Sequence, residues 1–420
     1  MSSSSSSSDG VLDDMVIAMA QEAINYLQEA ESSASRTRQP PIERNRLAAH
    51  ERLVQDYFCE TPVYDDDQFK RRFRMSRRLF VKISNDLAGE SHFFTRRVSA
   101  SGKVCFSGLQ KCTAAIRQLA YGTSSDAWDE YLRMSSRMCR ESLENFCEGV
   151  ISLYGRRYLR MPTAADVPIL YEAHQRLHGF LGMLGSLDCM HWEWAACPTA
   201  WKGQHHRGDH DGPTVILQAV ASQVLWIWHA YFGMAGTNND ITVLMTSNLF
   251  DDVIDGVAPD TSFYANDVQY RYGYYLTDGI YLEWATLVKS PSCPDDEKRL
   301  YFKKKQESAR KDIERAFGML KKRWSIITQP SRILEKSKMR NIMYTCIILH
   351  NMILEDSRRA FCRESYDESI QPTNPILTYA EKEDIRAKIR VRHTHQNLRA
   401  DLTEHLWFYR EQGGLDTDDE

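Results

Sequence analysis

The spacing of apolar residues divides the first 160 residues into a tail, a linker and a helical region. A serine run, Ser2–Ser8, is low in complexity and is expected to be disordered. Between Asp9 and Glu31 apolar side chains recur on one helical face. Residues 33–41 (SASRTRQPP) then form a polar, proline-broken linker. The pattern therefore predicts an N-terminal extension and linker over 1–41 and a mostly helical region over 42–160.

Within that region, the segment 106–154 predicts three helices joined by short turns. Glycine at 122 can end the first helix, and serines before the second and third can cap them. Short helices with short turns are typical of a helix-turn-helix unit, whose third helix would present Arg137, Arg140 and Asn145 to DNA. A plain helical bundle with a solvated polar face is the competing interpretation, and this segment alone favours it.

From residue 183 the pattern changes to alternating strands and helices. The order of these elements predicts a mixed α/β unit over 183–357. A polar tail over 358–420 follows, with one amphipathic helix at 381–410. The apolar runs and periodic segments predict strands at 185–194, 214–221, 224–232 and 273–276, and helices at 240–254, 307–324 and 341–354.

Composition narrows the class of protein. The 420 residues are 42% hydrophobic, which suits a globular protein, and no window of ~18 uninterrupted apolar residues suggests a membrane span. The N-terminus lacks the basic and apolar regions of a secretory signal. Ten scattered cysteines without a CxxC pair indicate reduced, intracellular thiols. With a net charge of −4, a nucleic-acid partner must be argued from local patches.

Four acidic residues are candidates for chemistry, and each has an ordinary alternative. Asp188 shares a strand face with apolar residues, where an unpaired carboxylate is costly, unless it lies at a strand end bonded to amides. Asn239 or Asp240 can be a simple helix cap. Asp278 precedes Gly279 in a common turn pair. Glu314 lies beside an apolar helical stripe and can simply pair with a neighbouring base.

Together the four acids indicate a metal site. Hard divalent cations need several oxygen ligands, and two such ions can stabilise both the attacking and the leaving oxygen of a phosphoryl displacement. Asp278 and Glu314 are separated by 35 residues, an interval that resembles the DDE transposase and integrase pattern on an RNase H-like fold. Arg310, Glu314 and Lys321 resemble the R-E-K signature of bacterial insertion-sequence transposases.

Longer motifs sharpen this resemblance over residues 70 to 357. The segments GMLGSLDCMHWEW, RGDHDGPTVILQAVAS, GTNNDITVL, YYLTDGIYLEWATLVKS and ARKDIERAFGMLKKRW together resemble a plant PIF/Harbinger transposase-derived nuclease, of the DDE superfamily endonuclease family. The resemblance implies an RNase H-like DDE catalytic domain. It also implies that Asp188, Asp278 and Glu314 are catalytic, and that these three with Asp240 hold Mg²⁺ or Mn²⁺.

Two basic segments support a phosphate-backbone partner. Residues 298–323 carry eleven basic and three acidic side chains, and a second cluster lies at 70–78. Such patches bind DNA by counterion release even in an acidic chain, although a solvated helix face is the alternative. A structural zinc site is a weaker alternative, because the spacing of the cysteines and histidines fits no zinc module. The cysteines and histidines in question are Cys189, His191, Cys197, His205, His206 and His210.

The sequence therefore predicts a nuclear, metal-dependent DNA endonuclease related to transposases. The alternative is a domesticated chromatin or protein-interaction factor that keeps the fold without cutting. The expected partners are DNA and, as a further candidate, a separate Myb-like DNA-binding or chromatin protein. No membrane association is expected, a cytoplasmic pool is the alternative location, and the oligomeric state is left open.

Overall fold

A computed structural model describes residues 19–24, 44–98, 102, 104–358 and 377–412. The chain divides into a unit of residues Met1–Arg44 and a unit of residues Asn45–Glu420. In the first unit, residues 19–24 are helical (α1), within the helix predicted from Asp9 to Glu31; the rest of that prediction lies outside the described residues. Among the described helices, none is long and apolar enough to cross a membrane.

The N-terminal half of the larger unit is helical, as its apolar spacing predicts. Short 3₁₀ turns lie at His92–Phe94 and Ser125–Trp128. The α-helices are α2 (Arg46–Tyr57), α3 (Asp66–Phe73), α4 (Arg77–Glu90), α5 (Gly108–Tyr121), α6 (Asp129–Leu132), α7 (Ser136–Tyr158) and α8 (Asp166–His178).

Local sequence explains where α5 and α7 begin and end. The Ser107 hydroxyl accepts from the Gln110 amide, and the Gln110 side chain accepts from the Ser107 amide, which together form a capping box. Gly122 ends α5 in the left-handed conformation, at φ 64°. Ser135 caps α7 through the Met138 amide. The stop at Gly122 and the Ser135 cap are as predicted, the Ser107 capping box was not predicted, and Ser124 makes no capping hydrogen bond at the second segment.

The proposed reader helix is not a short surface helix. Helix α7 is 23 residues long and packs against both α5 and the later helix Lys336–Asp356. Arg137 forms a salt bridge with Glu141, Arg140 contacts the Ser136 hydroxyl at 3.4 Å, and Asn145 donates to the Glu141 carbonyl. The helix-turn-helix interpretation stays a prediction, and these contacts favour the helical-bundle alternative.

The second half contains a five-stranded mixed sheet of strand order β3-β2-β1-β6-β7. Strands β1, β2 and β3 form an antiparallel meander, β6 runs parallel to β1, and β7 runs parallel to β6. A separate hairpin, β4–β5, turns at Asn266 and Asp267, both with positive φ. The strands are β1 (Met183–Glu193), β2 (Thr214–Ala221), β3 (Ile227–Ala235), β4 (Phe263–Ala265), β5 (Val268–Tyr270), β6 (Tyr274–Thr277) and β7 (Leu287–Lys289).

Helices cover both faces of this sheet. On one face Met190 and Ala219 pack in one apolar core with Ile313 and residues of the long helices after the sheet. On the other, Leu187 and Val220 pack against the helices between β3 and β4. The remaining helices are α9 (Thr199–His205), α10 (Asp240–Thr246), α11 (Asp251–Ile254), α12 (Glu297–Arg323), α13 (Lys336–Asp356), α14 (Tyr379–Ile389) and α15 (Arg392–Glu411), with a 3₁₀ turn at Ser325–Thr328.

Helix α13 joins the helical region to the sheet. Its Asn351 side chain donates to the Tyr158 carbonyl at the end of α7 and to the Ile227 carbonyl on β3, and it accepts from the Ile227 amide. One apolar core runs from Leu53 in α2 to Leu354 in α13. The predicted regions 42–160 and 183–357 thus share buried side chains.

The C-terminal segment is more than a polar tail. Leu398, Leu402 and Leu406 of α15 are fully buried in a core with Phe302 of α12. The buried His395 ring lies 2.6 Å from the Leu287 carbonyl of β7 through Nδ1. Helix α15 therefore packs beside the outermost strand of the sheet.

Several predicted elements had wrong bounds. The single helix expected over 240–254 is two helices, because the chain turns at Ser247, and the one expected over 381–410 is also two. Helix α12 begins ten residues before the predicted 307, capped by the Asp296 side chain. Strand β3 begins at Ile227 and not at 224, because Leu225 adopts a positive φ of 66° in the preceding turn. The short strands β4, β5 and β7 were not predicted.

Candidate active site

Asp188 lies on β1, and Asp278 directly follows the end of the neighbouring parallel strand β6. The last pair of these two strands is Ser186 with Leu276, so each acid lies two residues beyond it along its own segment, and the two carboxylates are close enough to interact electrostatically. Adjacent strands are about 4.8 Å apart. Strand β6 ends at Thr277, and an Asp278 carboxylate oxygen accepts from the Ile280 amide in the turn that follows.

Strand β1 continues beyond the end of β6, and this leaves an open edge at the site. Cys189 is paired with Gln218 of β2. Its backbone amide donates to the Asp188 carboxylate at 2.8 Å. The short β6 strand thus ends where the acidic side chains begin. In α/β sheets, such a crevice beyond the carboxyl end of a strand is a common ligand site.

Asp240 reaches the same place from the opposite face of the sheet. Asn239, not Asp240, caps α10 by accepting from the Thr242 amide. Asp240 is the first helical residue, half-buried, and its carboxylate accepts from the Cys189 thiol. The capping alternative for Asp240 is therefore wrong, and its side chain is directed to β1.

The three aspartates influence one another electrostatically. Burial raises the pKa of the Asp188 carboxyl to about 6; the Cys189 amide and the Arg310 guanidinium oppose the shift, while Asp240 and Asp278 add to it. Burial also raises the pKa of Asp240, and the nearby Asp278 charge adds to that shift. The sheet thus concentrates negative charge in a partly desolvated position.

Glu314 is linked to this group through Arg310. Both residues lie on α12, one turn apart, and the Arg310 guanidinium contacts the Glu314 carboxylate at 2.8 Å and the Asp188 carboxylate at 3.4 Å. The Asp188 and Arg310 side chains are each 19% exposed, whereas that of Glu314 is 47% exposed. A cation of the protein itself therefore lies between two of the predicted ligands.

Sequence reasoning did not single out the groups behind Asp240. The Tyr281 ring is buried, and its hydroxyl lies 3.7 Å from the Cys189 sulfur, which in turn bonds Asp240. Tyr281 follows Asp278 by three residues in the D-G-I-Y motif. That spacing was visible in the sequence, but only the fold shows that the ring contacts β1.

The donor set suits a hard divalent cation, although it is not assembled around one. In the part of the chain that the structure describes, no three acidic, histidine or cysteine side chains already converge as a metal-binding group. The carboxylates of Asp188, Asp240 and Asp278 are oxygen donors whose mutual repulsion a divalent cation would relieve. Glu314 is linked to these three carboxylates only through Arg310 among the contacts of the described residues.

The two basic segments differ in how their charges are used. Arg72 lies over the Tyr64 ring at 3.8 Å and bonds the Tyr57 hydroxyl, and Arg74 lies over the Tyr121 ring. On α12, by contrast, Lys311 and Lys322 are exposed on the outer side of the helix, as Glu314 is. Arg72 and Arg74 thus pack against the helical region, while exposed cations are present on α12 and, at Lys70 and Arg71, on the first segment as well.

The histidines that the sequence offers as zinc ligands contact backbone or hydroxyl oxygens instead of converging on one point. Nδ1 of His205 lies 2.9 Å from the Thr214 carbonyl oxygen, and Nδ1 of His191 lies 2.8 Å from the Thr214 hydroxyl. His206 contacts the His210 carbonyl. Cys197 is buried in the core that contains Trp194. This arrangement gives no support to a zinc module.

The chain is similar to known plant proteins in sequence. Residues 156–361 match the family model described as "Plant transposon protein", and residues 50–88 match a domain of unknown function. The chain is 20% identical over 293 residues to "Protein ALP1-like" from Arabidopsis thaliana, an alignment that covers 69% of this chain and 71% of that protein. No solved structure matches.

Proposed function

Residues 156–361 are a plant transposon protein domain of the PIF/Harbinger type. Because transposases cut DNA, we propose that the protein is a metal-dependent DNA endonuclease. The observation that supports the proposal most is the group of coupled carboxylates of Asp188, Asp240 and Asp278 at the open edge of β1. The proposal includes the RNase H-like DDE fold for this protein and a nuclear location.

Asp188, Asp278 and Glu314 are proposed as the catalytic acids, and with Asp240 they would hold Mg²⁺ or Mn²⁺. Bound there, the cations would supply an activated water or 3′-hydroxyl and would stabilise the charge that develops on the leaving 3′-oxygen. The chain's own groups set the geometry. The parallel pairing of β1 with β6 ends two residues before Asp188 and Asp278, so it brings the segments that carry the two acids together.

Two further contacts orient the acids before substrate arrives. The Cys189 thiol bonds Asp240, and the buried Tyr281 hydroxyl lies against that sulfur, so the Asp240 carboxylate is supported from behind. Arg310 offsets part of the negative charge of Asp188 and Glu314 while no other cation is present. Because its contact with Asp188 is partly buried and therefore costly to break, Arg310 would keep the two carboxylates together in the metal-free protein.

The exposed side of α12 would carry the DNA backbone. Lys311 and Lys322 lie on the same outer side as Glu314, and a Cβ at Gly318 would meet no atom within 4 Å. A nucleic-acid backbone can therefore approach this turn of the helix closely. Cations that replace condensed counterions give affinity for DNA without regard to base sequence.

Plasmid nicking tests the proposal. Supercoiled DNA is incubated with the purified full-length protein in Mg²⁺, Mn²⁺, Ca²⁺ or EDTA, and relaxed and linear products are quantified. We expect nicking in Mg²⁺ or Mn²⁺ and its loss in Asp188→Asn and Asp278→Asn. Asp267→Asn is the matched control, because Asp267 is exposed in a turn with φ 62°, a conformation that asparagine tolerates.

Binding of Mn²⁺ by titration calorimetry gives a second readout that does not depend on cutting. Wild-type protein that binds DNA but neither nicks it in any cation nor binds Mn²⁺ would refute the nuclease. That result would support the alternative, a domesticated chromatin or protein-interaction factor. A separate Myb-like DNA-binding or chromatin protein remains a proposed partner in both cases.

A further inference from the structure

The connection between α9 and β2 lies along the part of β1 that extends beyond Asp188. The Pro213 carbonyl accepts from the Trp194 amide at 2.7 Å, and Thr214 is paired with Glu193. A Cβ at Gly212 would lie 3.3 Å from the Glu193 carboxylate. Residues 206–213 thus form a loop that covers the end of β1 next to the carboxylate group.

Two imidazoles meet where this loop contacts β1. The ring centroids of His191, on β1, and His210, in the loop, are 4.3 Å apart. The Thr214 hydroxyl fixes His191 through Nδ1 at 2.8 Å. Both rings are half-buried, and His191 is three residues from Asp188 along the same strand. Two adjacent imidazole rings, one of them held by the Thr214 hydroxyl, therefore lie on the loop side of the acidic site.

Arg207 adds a cation to the same place. Its guanidinium contacts the Asp209 carboxylate at 3.1 Å, and its side chain is 44% exposed. Its positive charge lowers the pKa of both Asp240 and His191, so Arg207 is electrostatically close to the carboxylate group as well as to the imidazoles. An exposed ion pair of this kind contributes little to stability, so another anion can replace Asp209 at little cost.

The chemistry of this cluster favours an anion over a metal ion. Burial, together with the His210 ring and the Arg207 charge, lowers the pKa of His191 to about 4, so the ring is neutral at pH 7 and one nitrogen is a donor. Guanidinium groups recognise phosphate oxygens through paired N–H bonds, whereas they repel cations. Arg310 is paired with carboxylates; Arg207 is the exposed guanidinium on the loop side of the site.

We propose that Arg207, His191 and His210 form a subsite for a DNA backbone phosphate next to the one that is cleaved. The proposal rests on the proposed function, because it takes the carboxylate group as the place of cleavage. The subsite holds the strand at the loop that precedes β2. Arg207 is thus a positioning residue, and its role in binding is separable from the chemistry of the acids.

The test is DNA binding without divalent cations, so that it does not depend on cutting. Fluorescence anisotropy with a short labelled duplex in EDTA gives affinity as a function of salt for the full-length protein. Each phosphate contact contributes about 0.9 to the slope of log affinity against log salt. We expect Arg207→Gln to lower the slope by about that amount, and His210→Gln to weaken binding a few-fold at fixed salt.

Two further variants separate recognition from structure. Arg271→Gln removes an equally exposed arginine near the start of β6, at the opposite end of that strand from Asp278, and should leave the slope unchanged. Arg207→Lys keeps the charge and should retain the slope while losing part of the affinity, because lysine cannot donate paired bonds. Thermal melts of all variants confirm that they fold.

The outcomes for the subsite and for the nuclease are distinct. A slope for Arg207→Gln equal to that of Arg271→Gln overturns the subsite, even if the wild type nicks plasmid. Wild-type protein that binds no DNA in EDTA also overturns it. A lowered slope in Arg207→Gln supports the subsite, and if the wild type then fails to nick in any cation, only the proposed nuclease activity is lost.

Discussion

Arg310 is expected to compete with divalent cations for the acidic site, and Arg310→Gln tests this directly. Its guanidinium lies 3.4 Å from Asp188 and 2.8 Å from Glu314. The pair with Glu314 is an exposed i, i+4 contact worth about 0.3–0.5 kcal/mol. Breaking a fully buried pair costs about 3–5 kcal/mol, but Asp188 keeps some solvent contact and the distance is long, so we expect about 1–2 kcal/mol.

The variant should therefore lose about 2 kcal/mol of unfolding free energy in EDTA and recover it in the presence of metal. A ligand at 100 times its dissociation constant stabilises the folded protein by about 2.7 kcal/mol, and a tighter dissociation constant raises that figure. The assay is thermal unfolding of wild type, Arg310→Gln and Lys311→Gln across a Mn²⁺ titration. Lys311 is the matched control because it is exposed and adjacent on the same helix.

We expect the Mn²⁺-dependent rise in melting temperature to be larger in Arg310→Gln than in either of the other two proteins. The same Mn²⁺ response in all three would show that the guanidinium does not occupy the cation's place. A smaller response in Arg310→Gln would show that Arg310 helps to build the metal site. Either result would refute the competition.

Three further predictions concern single side chains. Asp240→Asn should have an unfolding free energy within about 0.5 kcal/mol of that of wild type, because Asn239 is the helix cap. It should bind Mn²⁺ more weakly in calorimetry, since an amide is a poorer ligand than a carboxylate. Unchanged Mn²⁺ affinity would contradict the role of Asp240 as a ligand. Arg72→Gln should cost about 1–2 kcal/mol in urea unfolding and leave the salt slope of DNA binding intact, because its guanidinium packs on Tyr64; a lowered slope would return Arg72 to the DNA surface. His174 is fully buried, and burial lowers its pKa to about 3, so the unfolded state binds a proton that the folded state does not between about pH 6.5 and pH 3. Its contribution to stability is thus present above pH 6.5 and lost on acidification, and His174→Phe should lose about 1.4 kcal/mol less than wild type between pH 7.5 and 5.5; equal losses in urea unfolding would contradict a neutral buried ring.

The sequence predicted the elements whose patterns are strong and local. Strand β2 has the predicted bounds, since a run that is apolar except for Thr214 and Gln218 fills a strand that is buried throughout. The hairpin β4–β5 and strand β7 were missed because three-residue strands carry too little periodicity. The start of α12 was missed because the lysines at 303–305 interrupt its apolar face, while Tyr301 and Phe302 are buried.

The site could be predicted only as a set of residue types. Sequence motifs pointed to four acids, which are Asp188, Asp240, Asp278 and Glu314. The parallel pairing of β1 with β6 brings the segments that carry Asp188 and Asp278 together. What no motif states is that Arg310 lies between two of these acids, because that contact joins residues 122 positions apart. Likewise, charge counting marked Arg72 as a DNA contact, although aromatic rings from other helices cover it.

The pairing of β6 with β1 has a consequence for the timing of synthesis. The β1–β2–β3 meander joins neighbours in the chain, whereas β6 must return to β1 across about 90 residues, and such distant contacts form slowly. At about 5–20 residues per second, Asp278 leaves the ribosome roughly 5–20 s after Asp188, and the buried leucines of α15 follow later still. We therefore expect a nascent chain to lack the complete acidic group until its last helices have emerged, so that the proposed nuclease activity would appear only in a finished molecule.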